Sequence, residues 1–272
     1  MTDPEFLEEL VETASLAARR AGELIREQYT QPRQVEQKGG PRDLVTQTDK
    51  AAQDVILDVI RKRHPDHFIL AEENPDSHAD EDGNWTIPGG PVWMVDPIDG
   101  TTNYVFTLPM FCVSIGVALD GKPAAGVIYD PLRDELWAGA VGSGATLNGD
   151  ELPQLEALPL ERSILCVDWG HDPAIRQEMF QTVGALLHHF QTFRSLGSAA
   201  LGLAYVANRR VQLYGAFALA PYDLGAGAAL IRAVGGGLIT PDGQPWQLGR
   251  SKILAGHPAV LDAAMKLIDG VL

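Results

Sequence analysis

Residues 93–104, WMVDPIDGTTNY, constrain this chain more than any other stretch. Trp93, Met94 and Val95 read as the end of a short buried strand, 91–95, that delivers the chain into Asp96. A rigid Pro97, a second carboxylate Asp99, a permissive Gly100 and two hydroxyls, Thr101 and Thr102, follow at once. The string sets two hard oxygen ligands, a backbone that an anion can approach and a hydroxyl able to hold a water within one turn. Those groups suit hydrolysis of a phosphate ester with divalent metals.

Other carboxylates fall where they could join this pair. The strand 67–70, HFIL, runs into Glu72-Glu73, and Asp223 opens a helix over 222–234. Glu72, Asp96 and Asp99 are each expected just past the end of a strand, where neighbouring strands converge. Unit charges about 5 Å apart repel by roughly 3 kcal/mol at an effective dielectric near 20. A cluster of four carboxylates must therefore bind cations or raise its pKa values. Taken singly, each acid has a plain structural reading. Glu72-Glu73 suits a solvated turn, Asp99-Gly100 a turn, Asp223 an N-cap, and Asp49 an ordinary first-turn acid. The combined string DPIDGTTN is far more specific, with a chance probability on the order of one in tens of millions at ordinary residue frequencies.

Around the motif, apolar periodicity predicts a helix over 4–28, capped by Asp3-Pro4, and a second over 49–63, with Gly39-Gly40-Pro41 breaking the chain between them. Residues 75–90 read as a loop. Residues 112–119 and 124–130 read as a hairpin that continues through 135–141 as an antiparallel meander. Beyond 160, strands (163–169, the stretch to 196, 211–217, 237–240, 252–256) alternate with helices (173–190, 198–208, 222–234, 258–270), the pattern of an α/β layer. A boundary near 145–160 divides the chain into an N-terminal α+β subdomain, residues 1–150, and a C-terminal α/β subdomain, residues 151–272.

The 272 residues carry a formal net charge of −15. That balance argues against nucleic acid or an anionic membrane as the main partner, since both need a cationic face. No apolar run is long enough to cross a bilayer, and the start MTDPEFLEEL lacks the apolar core of a secretory signal, so a cytoplasmic protein is expected. Cys112 and Cys166 form no CxxC pair and read as buried thiols.

The chain resembles the inositol monophosphatase family of magnesium-dependent, lithium-sensitive phosphatases. The likeness rests on PRDLVTQTD (41–49), FILAEEN (68–74), the segment 93–117, GVIYDP (126–131), RSLGSAAL (194–201) and APYDLGAGAALIRAVGG (220–236). It implies an α/β fold, the layered α-β-α-β-α sandwich of the inositol monophosphatase and fructose-1,6-bisphosphatase type, usually dimeric. It implies two or three Mg²⁺ ions, held by Glu72, Asp96, the Ile98 carbonyl, Asp99 and Asp223. It gives Thr101 and Asp49 the task of positioning and activating the attacking water, with Glu72 contributing. It places Asp99, Gly100, Thr101, Lys38, Ser198, Ala199 and Asp223 against the substrate, a small phosphorylated molecule. One departure stands out. Members that prefer inositol usually carry a glutamate a few residues before the downstream aspartate, and here that position is Ala216. A sugar-phosphate substrate in general, fructose bisphosphate, NADP or a nucleotide 3′-phosphate therefore enters consideration. A regulatory, RNA-associated protein on the same fold, and a sugar-phosphate or calcium binding module without catalysis, are the rivals from other classes.

Overall fold

The computed structural model describes residues 3–38, 43–73, 79–81, 83–170 and 172–268. In chain order the elements are α1 (Pro4–Gln28), β1 (Val35–Gln37), β2 (Leu44–Thr46), α2 (Gln47–Arg63), β3 (Phe68–Ala71), β4 (Pro91–Asp99), α3 (Thr101–Val105), β5 (Cys112–Leu119), β6 (Lys122–Asp130), β7 (Glu135–Ala140), β8 (Gly144–Leu147) and β9 (Asp150–Glu151). A short 3₁₀ turn (Leu160–Arg162) then leads to β10 (Ile164–Asp168), α4 (Pro173–Leu187), β11 (Thr192–Arg194), α5 (Ala199–Ala207), β12 (Leu213–Ala216), α6 (Pro221–Ala233), β13 (Gly237–Ile239), β14 (Ile253–Gly256) and α7 (Pro258–Ile268).

Strands β3 to β9 form one sheet in sequence order, with β3 parallel to β4 and every later pair antiparallel. A second sheet has the order β11-β10-β12-β14-β13, parallel at β10 and antiparallel at β14. Helices α1 and α2 cover one face of the first sheet. Helices α5 and α6 fill the space between the two sheets. Helices α4 and α7 cover the far face of the second sheet. This is the α-β-α-β-α sandwich, and its middle layer ties residues 199–233 to both sheets.

Local chemistry explains most boundaries. Asp3 accepts from the Glu5 amide with Pro4 at the first helical position, and Leu7, Leu10, Ala14, Ala17, Ala21 and Ile25 form the buried stripe of α1. Helix α2 begins at residue 47, two residues before the expected start. The Thr46 hydroxyl accepts from the Thr48 amide, and Asp49 reaches back to the Thr46 amide at 2.8 Å, a reciprocal cap. The expected strand 91–95 is four residues too short, because pairing with β5 continues through Asp96 to Asp99 with a register shift between them. Asp96 and Asp99 therefore lie within the strand's irregular end rather than beyond it. Pro97 is tolerated there because a bulge asks for no ladder amide. The β1–β2 hairpin escaped the pattern because β1 is only three residues long and wholly exposed. The Gly39-Gly40-Pro41 break, residues 75–78 and 82 of the loop expected over 75–90, and the end of the helix expected to 270 lie outside the described residues. Both cysteines are buried and free, as expected.

Candidate active site

The parallel pairing of β3 with β4 brings Glu72 beside Asp96, the Glu72 amide donating to the Val95 carbonyl at 3.0 Å. Asp223 arrives from the first turn of α6, where its carboxylate accepts from the Ala220 amide at 2.7 Å. Carboxylate oxygens of Asp96, Asp99 and Asp223 lie within 4.8 Å of one another. Burial raises Asp96 well above the ordinary carboxylate range, and the charges of Glu72, Asp99 and Asp223 push the same way. Burial, then Asp99 and Glu72, raise Asp223.

Asp99 is the best solvated of the group, by protein rather than water. Its oxygens accept from the Ser198 hydroxyl (2.5 Å), the Ala199 amide (3.1 Å) and the Ala200 amide (2.8 Å) at the start of α5. Burial still lifts it to about 6 against these donors. Ser198 and Ala199 thus spend their donors on Asp99, although Ala199 also lines the cleft.

Thr101 and Asp49 meet across the chain, the hydroxyl donating to Asp49 Oδ1 at 3.1 Å while also lying 3.0 Å from the Ile98 carbonyl. The two acceptors compete for one hydroxyl hydrogen, and a cation on the Ile98 oxygen would leave it to Asp49. Asp49 is fully buried, and burial raises its pKa in spite of the Thr46 contacts. Its two oxygens divide the work: one caps α2 and the other takes Thr101. Gly100 stands before Thr101 with φ 99°, and a Cβ there would meet the Met110 and Gly197 carbonyl oxygens at 3.0 and 3.1 Å. Only glycine fits that conformation and that gap.

The Lys38 ammonium bridges Glu72 (2.8 Å) and Glu73 (2.7 Å). Burial works against its charge, but Glu72 and then Glu73 outweigh it and keep Lys38 protonated. Glu73 is itself pushed up to about 7 by burial and by the charge of Glu72. Glu72 Oε2 is buried and has no hydrogen-bond partner. An acceptor left so costs about 1–3 kcal/mol. The site offers that orphaned oxygen, three converging carboxylates and a carbonyl. Such an all-oxygen donor set fits Mg²⁺, Mn²⁺ or Ca²⁺ and disfavours softer ions.

Asp168, the last residue of β10, also lines the cleft and was not singled out from the sequence. It accepts from the Gly197 amide (2.7 Å), the Tyr214 hydroxyl (3.1 Å) and the Ser195 hydroxyl (3.3 Å). It thereby fixes the loop whose next residue, Ser198, holds Asp99. A terminal Asp in SILCVD reads as a strand end, and its partners lie 27 to 46 residues away, so no local pattern marks it. Burial raises it from 3.8 to about 7. Between those values the folded chain keeps a proton that the unfolded chain releases, so stability falls as pH rises. At one pKa unit per 1.36 kcal/mol, the loss reaches about 4 kcal/mol by pH 8. Asp168→Asn is expected to gain melting temperature relative to wild type between pH 5 and pH 8. A difference that stays constant over that range contradicts this reading.

A model of the inositol monophosphatase family matches residues 7–269. The chain belongs to that family. Among family relatives it is 35% identical over 266 residues to inositol monophosphatase 3 of Solanum lycopersicum, covering 97% of each chain. It is 39% identical over 263 residues to Nus factor SuhB of Escherichia coli strain K12, covering 94% of each. The solved structure of SaIMPase-II bound to inositol monophosphate superposes with a TM-score of 0.78 at 30% identity, over 97% of this chain and 93% of that one. A second structure of that protein, with 2′AMP, gives 0.77 at 30% over 95% and 92%. The layered fold is the family's fold, and as an inositol monophosphatase family member the chain is a phosphoric monoester hydrolase.

Proposed function

We propose that the chain hydrolyses a small sugar or polyol phosphate of the inositol 1-phosphate kind, using two or three Mg²⁺ ions, and that it works as a lithium-sensitive cytoplasmic homodimer. The observation that carries this reading is the convergence of Asp96, Asp99 and Asp223 beside a Thr101–Asp49 pair. A site built only to bind a cation or a sugar phosphate has no need of the Thr101–Asp49 pair. In this reading the N-terminal subdomain, residues 1–150, supplies Glu72, Asp96, Asp99 and Thr101, and the C-terminal subdomain, residues 151–272, brings Asp223.

Glu72, Asp96, the Ile98 carbonyl, Asp99 and Asp223 would hold the metals. When bound, these would neutralise charge on the phosphoryl group and lower the pKa of a water. The protein's own groups do the rest. Asp49 fixes the Thr101 hydroxyl so that its lone pairs face the cleft and orient the attacking water. The first amides of α3, behind Gly100, have no acceptor within the helix and can hold phosphate oxygens. Lys38 holds the Glu72 carboxylate by its Oε1. Positioning and charge stabilisation of this kind dominate phosphoryl transfer. Thr101→Ala is expected to lower kcat on the order of 10²-fold, within the range for a positioned proton-transfer partner, with little change in KM. Wild-type kcat in that variant would remove Thr101 from the mechanism.

Two observations bear on the substrate. Ala216 lies buried on β12, directly paired with Asp168 of β10, so the ring-hydroxyl acceptor of inositol-preferring members is missing there. SaIMPase-II has been solved with inositol monophosphate bound and with 2′AMP bound, so one family member takes both a polyol phosphate and a nucleotide. Phosphate release from inositol 1-phosphate, fructose 1,6-bisphosphate, NADP and adenosine 3′,5′-bisphosphate decides among them. The name of the E. coli relative, Nus factor SuhB, favours a second, regulatory role. Partner capture that survives loss of the metal site would support it.

A further inference from the structure

The cleft that holds the carboxylates measures about 860 Å³, and Asp168, Trp169, Ile175 and Arg176 also line it. Among the described residues two cations line it, and they differ. Lys252 is spent, its ammonium held by both Glu178 oxygens at 2.6 and 2.7 Å. Arg176 is half-buried, and its Nε donates to the Gly170 carbonyl at 2.6 Å. No carboxylate pairs with its guanidinium among the described residues.

Local structure gives little reason for a cation there. Arg176 is the fourth residue of α4, near the helix end whose dipole disfavours positive charge. The wall that carries it is nonetheless firmly built. A Cβ on Gly170 would meet the Phe217 carbonyl oxygen at 3.0 Å and the Ala218 Cβ at 3.2 Å, so the loop after β10 lies tight against the 217–218 turn. Ala218 itself holds φ 65°, a conformation that costs a residue with a Cβ. Through Asp168, Gly197 and Ser198 the wall is continuous with Asp99. A guanidinium held by the Gly170 carbonyl, with no carboxylate partner among the described residues and lining the same cleft as a site suited to a phosphate, points to a substrate with a second anion.

We propose that Arg176 binds a second anionic group of the substrate, so that bisphosphorylated esters are preferred over monophosphates. This rests on the phosphatase reading above. Water adds its oxygen to the phosphorus at the carboxylate end, the P–O ester bond breaks, and the alcohol leaves with its proton. The second phosphate stays on the product and returns with it to solvent. A sugar bisphosphate and a nucleoside bisphosphate share this chemistry. Trp169, half-buried with its ring 5.0 Å from that of Phe180, offers a stacking face that only the nucleoside uses.

The test compares kcat/KM for inositol 1-phosphate, fructose 1,6-bisphosphate and adenosine 3′,5′-bisphosphate in the full chain with Mg²⁺. Wild type is expected to favour at least one bisphosphate, and Arg176→Gln to lower the bisphosphate-to-monophosphate ratio about tenfold or more, the effect of one charge-assisted hydrogen bond. Arg176→Lys is expected to recover some of that ratio. Calorimetry in a Thr101→Ala background, where turnover is slow, is expected to show the same tenfold loss in Kd for the bisphosphate. Trp169→Ala weakens the nucleoside bisphosphate alone if that is the source, and leaves both bisphosphates alike if a sugar is. Equal losses on all three substrates in Arg176→Gln, or no bisphosphate preference in wild type, overturn the inference while the phosphatase reading stands. No turnover of any substrate overturns both.

Discussion

Asp96→Asn is expected to abolish turnover, with a loss on the order of 10³-fold or more, while leaving the fold intact. Asp96 is central to the carboxylate group, feeling Glu72, Asp99 and Asp223 together. Its replacement removes the ligand expected to serve both metals, and with it several kcal/mol of transition-state stabilisation. The same change should relieve the metal-free protein. Burial and the neighbouring acids penalise an Asp96 carboxylate in the metal-free protein, and Asn carries no charge to penalise. Thermal scans separate the two effects. Without divalent ions the variant should melt at or above wild type; with millimolar Mg²⁺ only wild type should gain. Full activity in Asp96→Asn, or an equal Mg²⁺ stabilisation of both proteins, contradicts the ligand assignment.

The second large effect lies away from the chemistry. Gly126→Ala is expected to destabilise the chain by about 3 kcal/mol or more, the upper range for overpacking a core. A Cβ on Gly126 would lie 2.2 Å from the Ala226 carbonyl oxygen, and one on Gly116 2.6 Å from the Ala226 amide. The two glycines face each other across β5 and β6, and α6 lies directly on the pair. The obstacle is backbone, so no rotamer change relieves it. The helix must lift, and Asp223 in its first turn must lift with it, against the Ser114 hydroxyl bond to the Tyr222 carbonyl. Misplacement by about 1 Å costs on the order of 10² in rate, so activity should fall along with the melting temperature. Gly184→Ala, in the interior of α4 with nothing within 4 Å of the new methyl, should instead be neutral or gain up to about 1 kcal/mol. Equal melting shifts for the two variants would remove the close approach of α6 as the cause.

The two predictions probe different layers of legibility. DPIDGTTN was readable because its residue types are chemically demanding and adjacent. So were the helices, whose apolar stripes repeat over many turns, as in α1. Asp223 was found through its place at a helix start, although the distances that join it to Asp96 and Asp99 belong to the folded chain alone. The end of β4 was misjudged because Asp and Pro are poor strand formers, and a bulge accommodates both. The pairing of Lys38 with Glu72 and Glu73, 34 and 35 residues apart, could not be read from the sequence. Asp168 and Arg176 were invisible for the same reason. A carboxylate's role depends on donors supplied by another strand, and a cation's role depends on the absence of an acid beside it. Neither is a property of a local window. Glycines 116 and 126 fall inside two expected strands with no side chain to mark them, and packing makes them the seat of α6.

The central claim is that acids from β3, β4 and α6 share bound divalent cations. Anomalous diffraction from crystals soaked in Mn²⁺ tests it most directly. The account predicts at least two peaks, about 3.5–4 Å apart, in contact with Asp96 and flanked by Asp99, Asp223 and Glu72. Density with no anomalous peak at those side chains, in crystals shown to have taken up manganese, would contradict it.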